Sequence, residues 1–263
     1  MAMRVITALI GLVVFFAVVL SGAVPLYIGV CIVLAVMLYE FYKSQNSCAL
    51  CSVTGYISAV IVIFSILSGW GIYIGTLIAL SLYLIIMLIL HGKVNFKDVF
   101  ACGMGTLFIT LFMSTLIMIR KEYNIFGTLI VFVCAWTSDT GAYFFGRFLG
   151  KHKLIPHVSP KKTIEGAVGG VVVSSLCCAL YLFIVNRINM ISADNAGYIG
   201  IMVLGAVAAV FSQLGDLIAS AIKRDCQVKD FGNILPGHGG ALDRFDSVLF
   251  LSPFVYFLLK LIM

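Results

Sequence analysis

The sequence has little charge for its length. Only 11% of its 263 residues are charged and 62% are hydrophobic, which gives a mean hydropathy of +1.14. A soluble domain has about 25% charged residues, so this chain lacks the polar surface that a water-soluble globule of its size needs. A disordered chain is excluded as well, because such chains are poor in aliphatic and aromatic residues. The composition therefore predicts an integral membrane protein.

The apolar stretches are continuous and about 20 residues long, which excludes the alternating pattern of a membrane β-barrel. Runs of this length cross the hydrocarbon core as helices, because a helix satisfies its backbone polar groups internally. We predict an all-α polytopic protein with about nine transmembrane helices. Their expected bounds are Val5–Ala23, Val24–Tyr42, Ala49–Leu67, Gly71–Leu90, Val99–Ile119, Ile125–Phe145, Ile164–Val185, Tyr198–Ile222 and Val248–Met263.

Cationic residues predict the topology of these spans. With the N-terminus in the cytoplasm, 13 of the 17 Lys and Arg residues fall on the cytoplasmic side, as the positive-inside rule requires. The first span resembles a secretory signal ending at Ser21-Gly22-Ala23. We expect it to stay uncleaved, because a second span follows at once. The net charge fits this topology and anionic lipid headgroups, and without a basic domain we expect no nucleic-acid partner.

Acidic residues are scarce in the N-terminal half, where Glu40 alone lies inside a predicted span. We therefore interpret residues 1–98 as scaffold helices. Residues 99–263 are expected to form the catalytic region, with cytoplasmic loops at 146–163 and 223–247. The lone CxxC of Cys48 and Cys51 has no second pair of Cys or His residues nearby, so it does not predict a zinc site.

Two aspartates lie inside predicted spans near the cytoplasmic side. A carboxylate that faces lipid costs at least about 2.5–3.5 kcal/mol, so Asp216 must face water, a cation or a metal ion. Ser220 and Lys223 follow at i+4 and i+7 on the same helix face, and an internal ion pair with Lys223 is the alternative. For Asp139, a structural role among hydroxyl side chains and a functional role stay equally open.

A segment rich in Pro and Gly, residues 235–240, precedes two further aspartates. Its backbone amides can approach a phosphate closely, because glycine leaves room for it. Asp243 and Asp246 follow at i, i+3 spacing, which predicts a site for a hard cation such as Mg2+. Helix capping by one of them is the alternative. His238 is expected either to contact a phosphate or the leaving group or to brace the loop.

Cations accompany these carboxylates in both cytoplasmic loops. One loop contains Lys223, Arg224 and Lys229, and the other contains Lys161 and Lys162; such side chains bind phosphate. Carboxylates, glycines and cations at one membrane face together predict phosphoryl or nucleotidyl transfer to a lipid.

The motifs also carry a resemblance to a known family. Four short stretches, taken together, resemble the signature of CDP-diacylglycerol synthases (phosphatidate cytidylyltransferases). They are Ser220–Arg224, Lys229–Gly232, Leu235–Gly240 and Asp243–Asp246. Two further stretches, Ser138–Arg147 and Ser159–Gly166, resemble the bacterial enzymes. Ala241 departs from the family pattern, which usually has a larger aliphatic residue there, and this difference affects packing more than chemistry.

The resemblance implies that CTP and phosphatidate react to give CDP-diacylglycerol and pyrophosphate in the bacterial inner membrane. It also implies Mg2+, a second, monovalent cation such as K+, and a homodimer. Asp216, Asp243 and Asp246 are assigned to the metal and, with Lys223 and Arg224, to catalysis. The residues assigned to substrate binding are Ser220, Lys229, His238, Gly239, Gly240, Arg244, Lys161, Lys162 and Asp139.

Two alternatives belong to other functions. A CTP-dependent polyprenol or phytol kinase would use related chemistry on a lipid alcohol. An ion-coupled transporter would also explain intramembrane carboxylates, but it predicts polar residues in both halves of the chain. The prediction on which the enzyme depends most is that Asp216 and Asp243 meet at one divalent ion near the inner leaflet.

Overall fold

The structure, a computed structural model, describes residues 2–188, 194–234 and 239–263. Within them the chain forms eight helices and one two-stranded sheet. The elements are α1 (Ala2–Leu20), α2 (Ala23–Ser44), α3 (Ala49–Leu67), α4 (Ile72–Ile89), α5 (Phe96–Leu149), β1 (Lys153–Ile155), β2 (Ser159–Thr163), α6 (Ile164–Arg187), α7 (Asn195–Asp225) and α8 (Leu242–Ile262). Seven helices of the described chain are long and apolar enough to cross a membrane. The prediction of an all-α polytopic membrane protein is confirmed.

Helix α5 contains two of the predicted spans. Its 54 residues would extend over roughly 80 Å at 1.5 Å per residue, far more than the roughly 30 Å of hydrocarbon. Asn124 interrupts it with φ 53° and ψ −146°, a left-handed φ that Asn tolerates better than most residues. The predicted fifth and sixth spans lie on either side of this kink. The total of nine spans and the cytoplasmic N-terminus stay predictions.

The structure differs from the prediction in both polar segments. The loop predicted at 146–163 contains the hairpin of β1 and β2, which pair antiparallel. The two strands have only three and five residues, so they contain no long apolar run that would predict them from the sequence. Helix α8 begins at Leu242 and not at Val248, which places Asp243 in its first turn.

Contacts in space between residues divide the chain into two compact units. The first unit contains residues 1–118 and 226–244, and the second contains residues 119–225 and 245–263. The segment 226–244, which includes most of the signature, therefore belongs with the N-terminal helices. The predicted division at residue 98 between scaffold and catalytic functions stays a prediction.

The first unit has apolar side chains on its outer surface and a cluster of hydrogen-bonded hydroxyl groups inside. On α4 the buried residues are Gly75, Ala79 and Tyr83, whereas Leu88 is 77% exposed, as expected for a helix that faces lipid. Inside, the Thr106 hydroxyl forms hydrogen bonds of 2.7 Å with both the Tyr42 and the Tyr83 hydroxyl. These bonds satisfy hydroxyl groups that are buried in an apolar core.

The second unit packs its helices through small residues. A Cβ on Gly205 of α7 would lie 2.9 Å from the backbone oxygen of Ser174 on α6, and the Ser174 hydroxyl donates to the Gly205 oxygen at 3.0 Å. On α6, a Cβ on Gly170 would lie 2.8 Å from the Ser138 oxygen of α5. Small residues allow this close approach of membrane helices, and here they bring α5, α6 and α7 together.

Candidate active site

The hairpin is fixed to the start of α6. The Ile164 amide donates to the His152 oxygen at 2.9 Å. Thr163 caps α6, because its hydroxyl oxygen accepts a hydrogen bond of 3.1 Å from the Gly166 amide. Strand β2 leads directly into this cap, so the positions of Lys161 and Lys162 are set by backbone pairing and by the helix that follows.

A cavity of about 340 Å³ lies in the second unit, between this hairpin, the end of α5, the start of α6 and the middle of α7. Three of its lining residues are cations, and two are the aspartates singled out in the spans. The lining residues are Asp139, Ala142, Tyr143, Gly146, Arg147, Leu154, Lys161, Lys162, Thr163, Gly166, Ala167, Gln213 and Asp216. A cavity lined by both cationic and anionic side chains can hold an anionic group together with a cation.

Asp216 and Lys162 form an ion pair in this cavity. Lys162 Nζ lies 2.7 Å from Asp216 Oδ2, and the two side chains are 25% and 36% exposed. The Ser220 hydroxyl donates a hydrogen bond of 3.5 Å to Asp216 Oδ1. This bond agrees with the prediction that the two residues share one helix face. The alternative partner proposed from the sequence was Lys223, but the ion pair connects α7 to the hairpin.

Two other aspartates lie close enough to Asp216 to interact with it electrostatically. Asp139 lines the cavity with an exposed side chain and also interacts with Lys162, which favours its functional interpretation. Asp246 interacts with Asp216 and Lys223. The approach of α8 to α7 explains this contact, since a Cβ on Gly215 would lie 2.8 Å from the Asp246 oxygen.

Asp243 lies in the first unit and organises the signature segment. Its Oδ2 accepts hydrogen bonds from the Phe231 amide at 2.8 Å and from the Gly240 amide at 3.0 Å. Gly239 has φ +87°, a left-handed conformation that favours glycine. The proposed meeting of Asp216 with Asp243 at one ion stays a prediction.

The other predicted residues are distributed over the surface of their units. Lys223 is half-buried, and exposed side chains are found at Arg224, Lys229 and Arg244. His238 lies outside the described residues, with the rest of 235–238. The roles assigned to these residues stay predictions.

Two residues were missed by the sequence analysis. Arg147 lines the cavity and donates a hydrogen bond of 2.7 Å to the Tyr143 hydroxyl. It had been used for topology and as the last residue of the stretch Ser138–Arg147, but had been given no role at the site, although its place just after a predicted span was a usable signal. Glu40 had been assigned to the scaffold, yet it accepts hydrogen bonds from the Ala241 and Leu242 amides. Its isolation as the one acidic residue in an N-terminal span was the signal.

The described residues 2–188, 194–234 and 239–263 contain no group of three or more His, Cys, Asp or Glu side chains that could hold a metal ion. Mg2+ does not require such a group, because it binds through one or two carboxylates together with water and substrate phosphates. Asp139 and Asp216 offer oxygen ligands of this kind in an accessible cavity. The donor chemistry therefore fits Mg2+.

Comparison with known proteins extends over almost the whole chain. Residues 2–262 match the model of the cytidylyltransferase family. A phosphatidate cytidylyltransferase of Bacillus subtilis is 34% identical over 272 residues, covering 99% of this chain and 98% of the relative. The protein of the same name from Staphylococcus saprophyticus is 38% identical over 267 residues, covering 98% and 99%, and that of Staphylococcus haemolyticus is 36% identical over 266 residues.

Matches of this length include the N-terminal helices, for which the motifs alone gave only a generic resemblance. They leave no large part of the chain to a different family. The family predicted from the motifs is confirmed: the chain belongs to the cytidylyltransferase family of CDP-diacylglycerol synthases.

Proposed function

We propose that this protein is a phosphatidate cytidylyltransferase that converts CTP and phosphatidate to CDP-diacylglycerol and pyrophosphate. The observation that carries this proposal is the similarity, over nearly the full length of both chains, to proteins with that name. The cavity of the second unit supplies a suitable chemical environment, because its cations can neutralise phosphate groups.

The reaction exchanges one phosphoanhydride bond for another. An oxygen of the phosphatidate phosphate attacks the α-phosphorus of CTP, and the bond from that phosphorus to the β-phosphate oxygen breaks. Pyrophosphate leaves with the electron pair of that bond. The attacking phosphate is already ionised near neutral pH, so the protein needs to position the two substrates and neutralise their charge, and no strong general base is required.

The side chains of the cavity suit this task. Lys161 and Arg147 are exposed and line the cavity, so they can bind phosphate oxygens directly. Lys162 is held in place by Asp216 at 2.7 Å, which orients its charge towards the same space. Charge-assisted bonds of this kind are short and directional, and they align the attacking and leaving oxygens.

We assign the divalent ion to carboxylates of Asp216, Asp243 and Asp246, with Asp139 nearby. Bound Mg2+ would supply charge stabilisation on the phosphate oxygens and on the departing pyrophosphate. The second, monovalent cation, such as K+, and the homodimer are proposals that follow from the family resemblance. The proposed location is the bacterial cell (inner) membrane, which the bacterial origin of the relatives supports.

Release of pyrophosphate should depend on the lipid acceptor. Purified protein with CTP and Mg2+ is expected to release pyrophosphate when phosphatidate is added, and to release almost none without it, because the attacking oxygen belongs to phosphatidate. A coupled pyrophosphate assay measures this, with detection of CDP-diacylglycerol by mass spectrometry.

A long-chain polyprenol in place of phosphatidate serves as the control. A polyprenol kinase would transfer the terminal phosphoryl group of CTP and form CDP without pyrophosphate. Formation of CDP with the alcohol, or the absence of any lipid-dependent reaction, would contradict the proposed function.

Lys161→Gln is expected to raise KM for at least one of the two substrates by about tenfold, the equivalent of roughly 1.4 kcal/mol, with kcat changed less than KM. The reason is that Lys161 lines the cavity with an exposed charge that binds phosphate in ground state and transition state alike. Steady-state kinetics with each substrate varied in turn measures the effect.

Lys153→Gln is the matched control, because Lys153 is an exposed lysine of the same hairpin that does not line the cavity as described. It is expected to retain the wild-type KM for both substrates. Equal kinetics for the two variants would remove the cavity from the substrate site.

A further inference from the structure

Glu40 is a buried carboxylate near the end of α2. Its side chain is 1% exposed. Its two oxygens are both used: Oε1 accepts from the Ala241 amide at 3.0 Å, and Oε2 accepts from the Leu242 amide at 2.9 Å. The carboxylate therefore binds the backbone at the point where α8 begins, 201 residues away in the chain.

This contact satisfies both partners. The first amides of a helix have no partner within the helix, and the partial positive charge at that end attracts an anion. A buried carboxylate, in turn, is strongly unfavourable unless hydrogen bonds compensate for its lost hydration. Glu40 thus caps α8 from another helix, a role that the sequence had offered to the aspartates of α8 itself.

Two glycines of the signature make room for Glu40. A Cβ on Gly240 would lie 2.5 Å from Glu40 Oε2, and a Cβ on Gly232 would collide with Glu40 Oε1. The amide of Gly240 already donates to Asp243 Oδ2. At least part of the glycine pattern in this segment is therefore required by the carboxylate packed against it.

Glu40 and Asp243 hold the same turn of backbone from two sides. Glu40 fixes the amides of Ala241 and Leu242, and Asp243 binds the amides of Phe231 and Gly240. Leu242 is covalently joined to Asp243, so a shift of the helix start moves the Asp243 carboxylate. The position of this carboxylate therefore depends on Glu40.

We propose that Glu40 is a positioning residue for cytidylyl transfer: by binding the first amides of α8 it holds Asp243 where the substrate-bound divalent ion requires it. This inference rests on the proposed function, which makes Asp243 a ligand of that ion. Residues that orient ligands typically change metal affinity or activity 10- to 100-fold when they are replaced, so the effect of Glu40 is expected to be measurable.

Hydrogen–deuterium exchange tests the contact without any turnover. In Glu40→Gln one carboxylate oxygen is replaced by an NH2 group, which cannot accept a hydrogen bond from a backbone amide. Peptides that contain Ala241 and Leu242 are expected to exchange about tenfold faster than in the wild type, whereas α3 and α4 keep their protection. Unchanged exchange of these peptides would overturn the proposal.

Kinetics then tests positioning against a merely structural role. Glu40→Gln is expected to raise the Mg2+ concentration for half-maximal activity by tenfold or more. Tyr42→Phe is the matched control, because it removes another buried hydrogen bond of α2, the one to Thr106, and leaves the amides of α8 in place. It is expected to retain the wild-type Mg2+ dependence. A wild-type Mg2+ dependence in Glu40→Gln would also overturn the proposal, even with faster exchange.

If Glu40→Gln does not accumulate in the membrane, both measurements are made on Glu40→Asp instead. It keeps the charge but withdraws the carboxylate from the amides, so we expect faster exchange of the same peptides and, as in Glu40→Gln, a higher Mg2+ concentration for half-maximal activity. Wild-type results for Glu40→Asp in both measurements would contradict the proposal that the carboxylate must reach the amides of Ala241 and Leu242. If the wild-type protein itself formed no CDP-diacylglycerol, the proposed function would fail, while the exchange data would still decide the contact.

Discussion

Asp243→Asn is expected to lower the rate of CDP-diacylglycerol formation by roughly 10³-fold, the upper range for loss of one transition-state-stabilising group, while the protein still inserts into the membrane. The Asn side-chain oxygen can still accept from the Phe231 and Gly240 amides that now bind Asp243 Oδ2, so the local fold is retained. What disappears is the negative charge, which makes a carboxylate a stronger ligand for a divalent ion than a neutral amide oxygen. Turnover in detergent or in vesicles, with immunodetection of the membrane fraction, measures both effects.

Asp98→Asn provides a matched control for this substitution. Asp98 lies in the first turn of α5 as Asp243 lies in the first turn of α8, so both variants lose a favourable interaction with a helix N-terminus. Asp98 is exposed and has no assigned role in the reaction, so its variant is expected to keep wild-type activity. Near-normal turnover by Asp243→Asn would refute the metal assignment of Asp243.

Asp216→Asn is expected to reduce kcat by about 10²- to 10³-fold with little loss of stability. The ion pair of Asp216 with Lys162 is partly exposed, and a pair of this kind contributes at most about 1 kcal/mol to the free energy of unfolding. The carboxylate is needed for the divalent ion and for the orientation of Lys162, so the loss appears in catalysis. Steady-state kinetics and thermal unfolding in detergent separate the two effects.

The control for Asp216 lies on the same helix. Asp225 is the last residue of α7 and is exposed, so Asp225→Asn makes the same chemical change outside the cavity. We expect wild-type kcat from it. A large loss of stability in Asp216→Asn, accompanied by a proportional loss of folded enzyme, would indicate that Asp216 is structural and not catalytic.

The local parts of the site could be read from the sequence. The i, i+4 spacing of Asp216 and Ser220 predicted one helix face, and their side chains are hydrogen-bonded at 3.5 Å. Lys161 and Lys162 were singled out as phosphate-binding cations, and both line the cavity. The shared helix face is confirmed, whereas phosphate binding by Lys161 and Lys162 stays a prediction. Both features are visible in the sequence because the period of a helix and the clustering of charge in a short loop are local properties of the chain.

The partners of these residues could not be read in the same way. Spacing along α7 offered Lys223 as the partner of Asp216, but Lys162, on a hairpin strand, forms the ion pair. The hairpin itself has only eight paired or strand residues, and it is held by backbone bonds and the Thr163 cap, which produce no hydrophobic period. Which cation reaches Asp216 thus follows from the packing of α6 against α7.

By itself, the sequence determined the membrane location, the helical class and the family, because long apolar runs exclude water-soluble folds and fixed motifs identify relatives. Only the tertiary structure decided that Glu40 of α2 binds the start of α8. The physical reason is that a buried carboxylate needs hydrogen-bond donors, and the packing of the helices decides which unsatisfied backbone amides lie within its reach. Every residue except proline offers the same backbone N–H group, so the sequence around Glu40 contains no sign of which ones it binds.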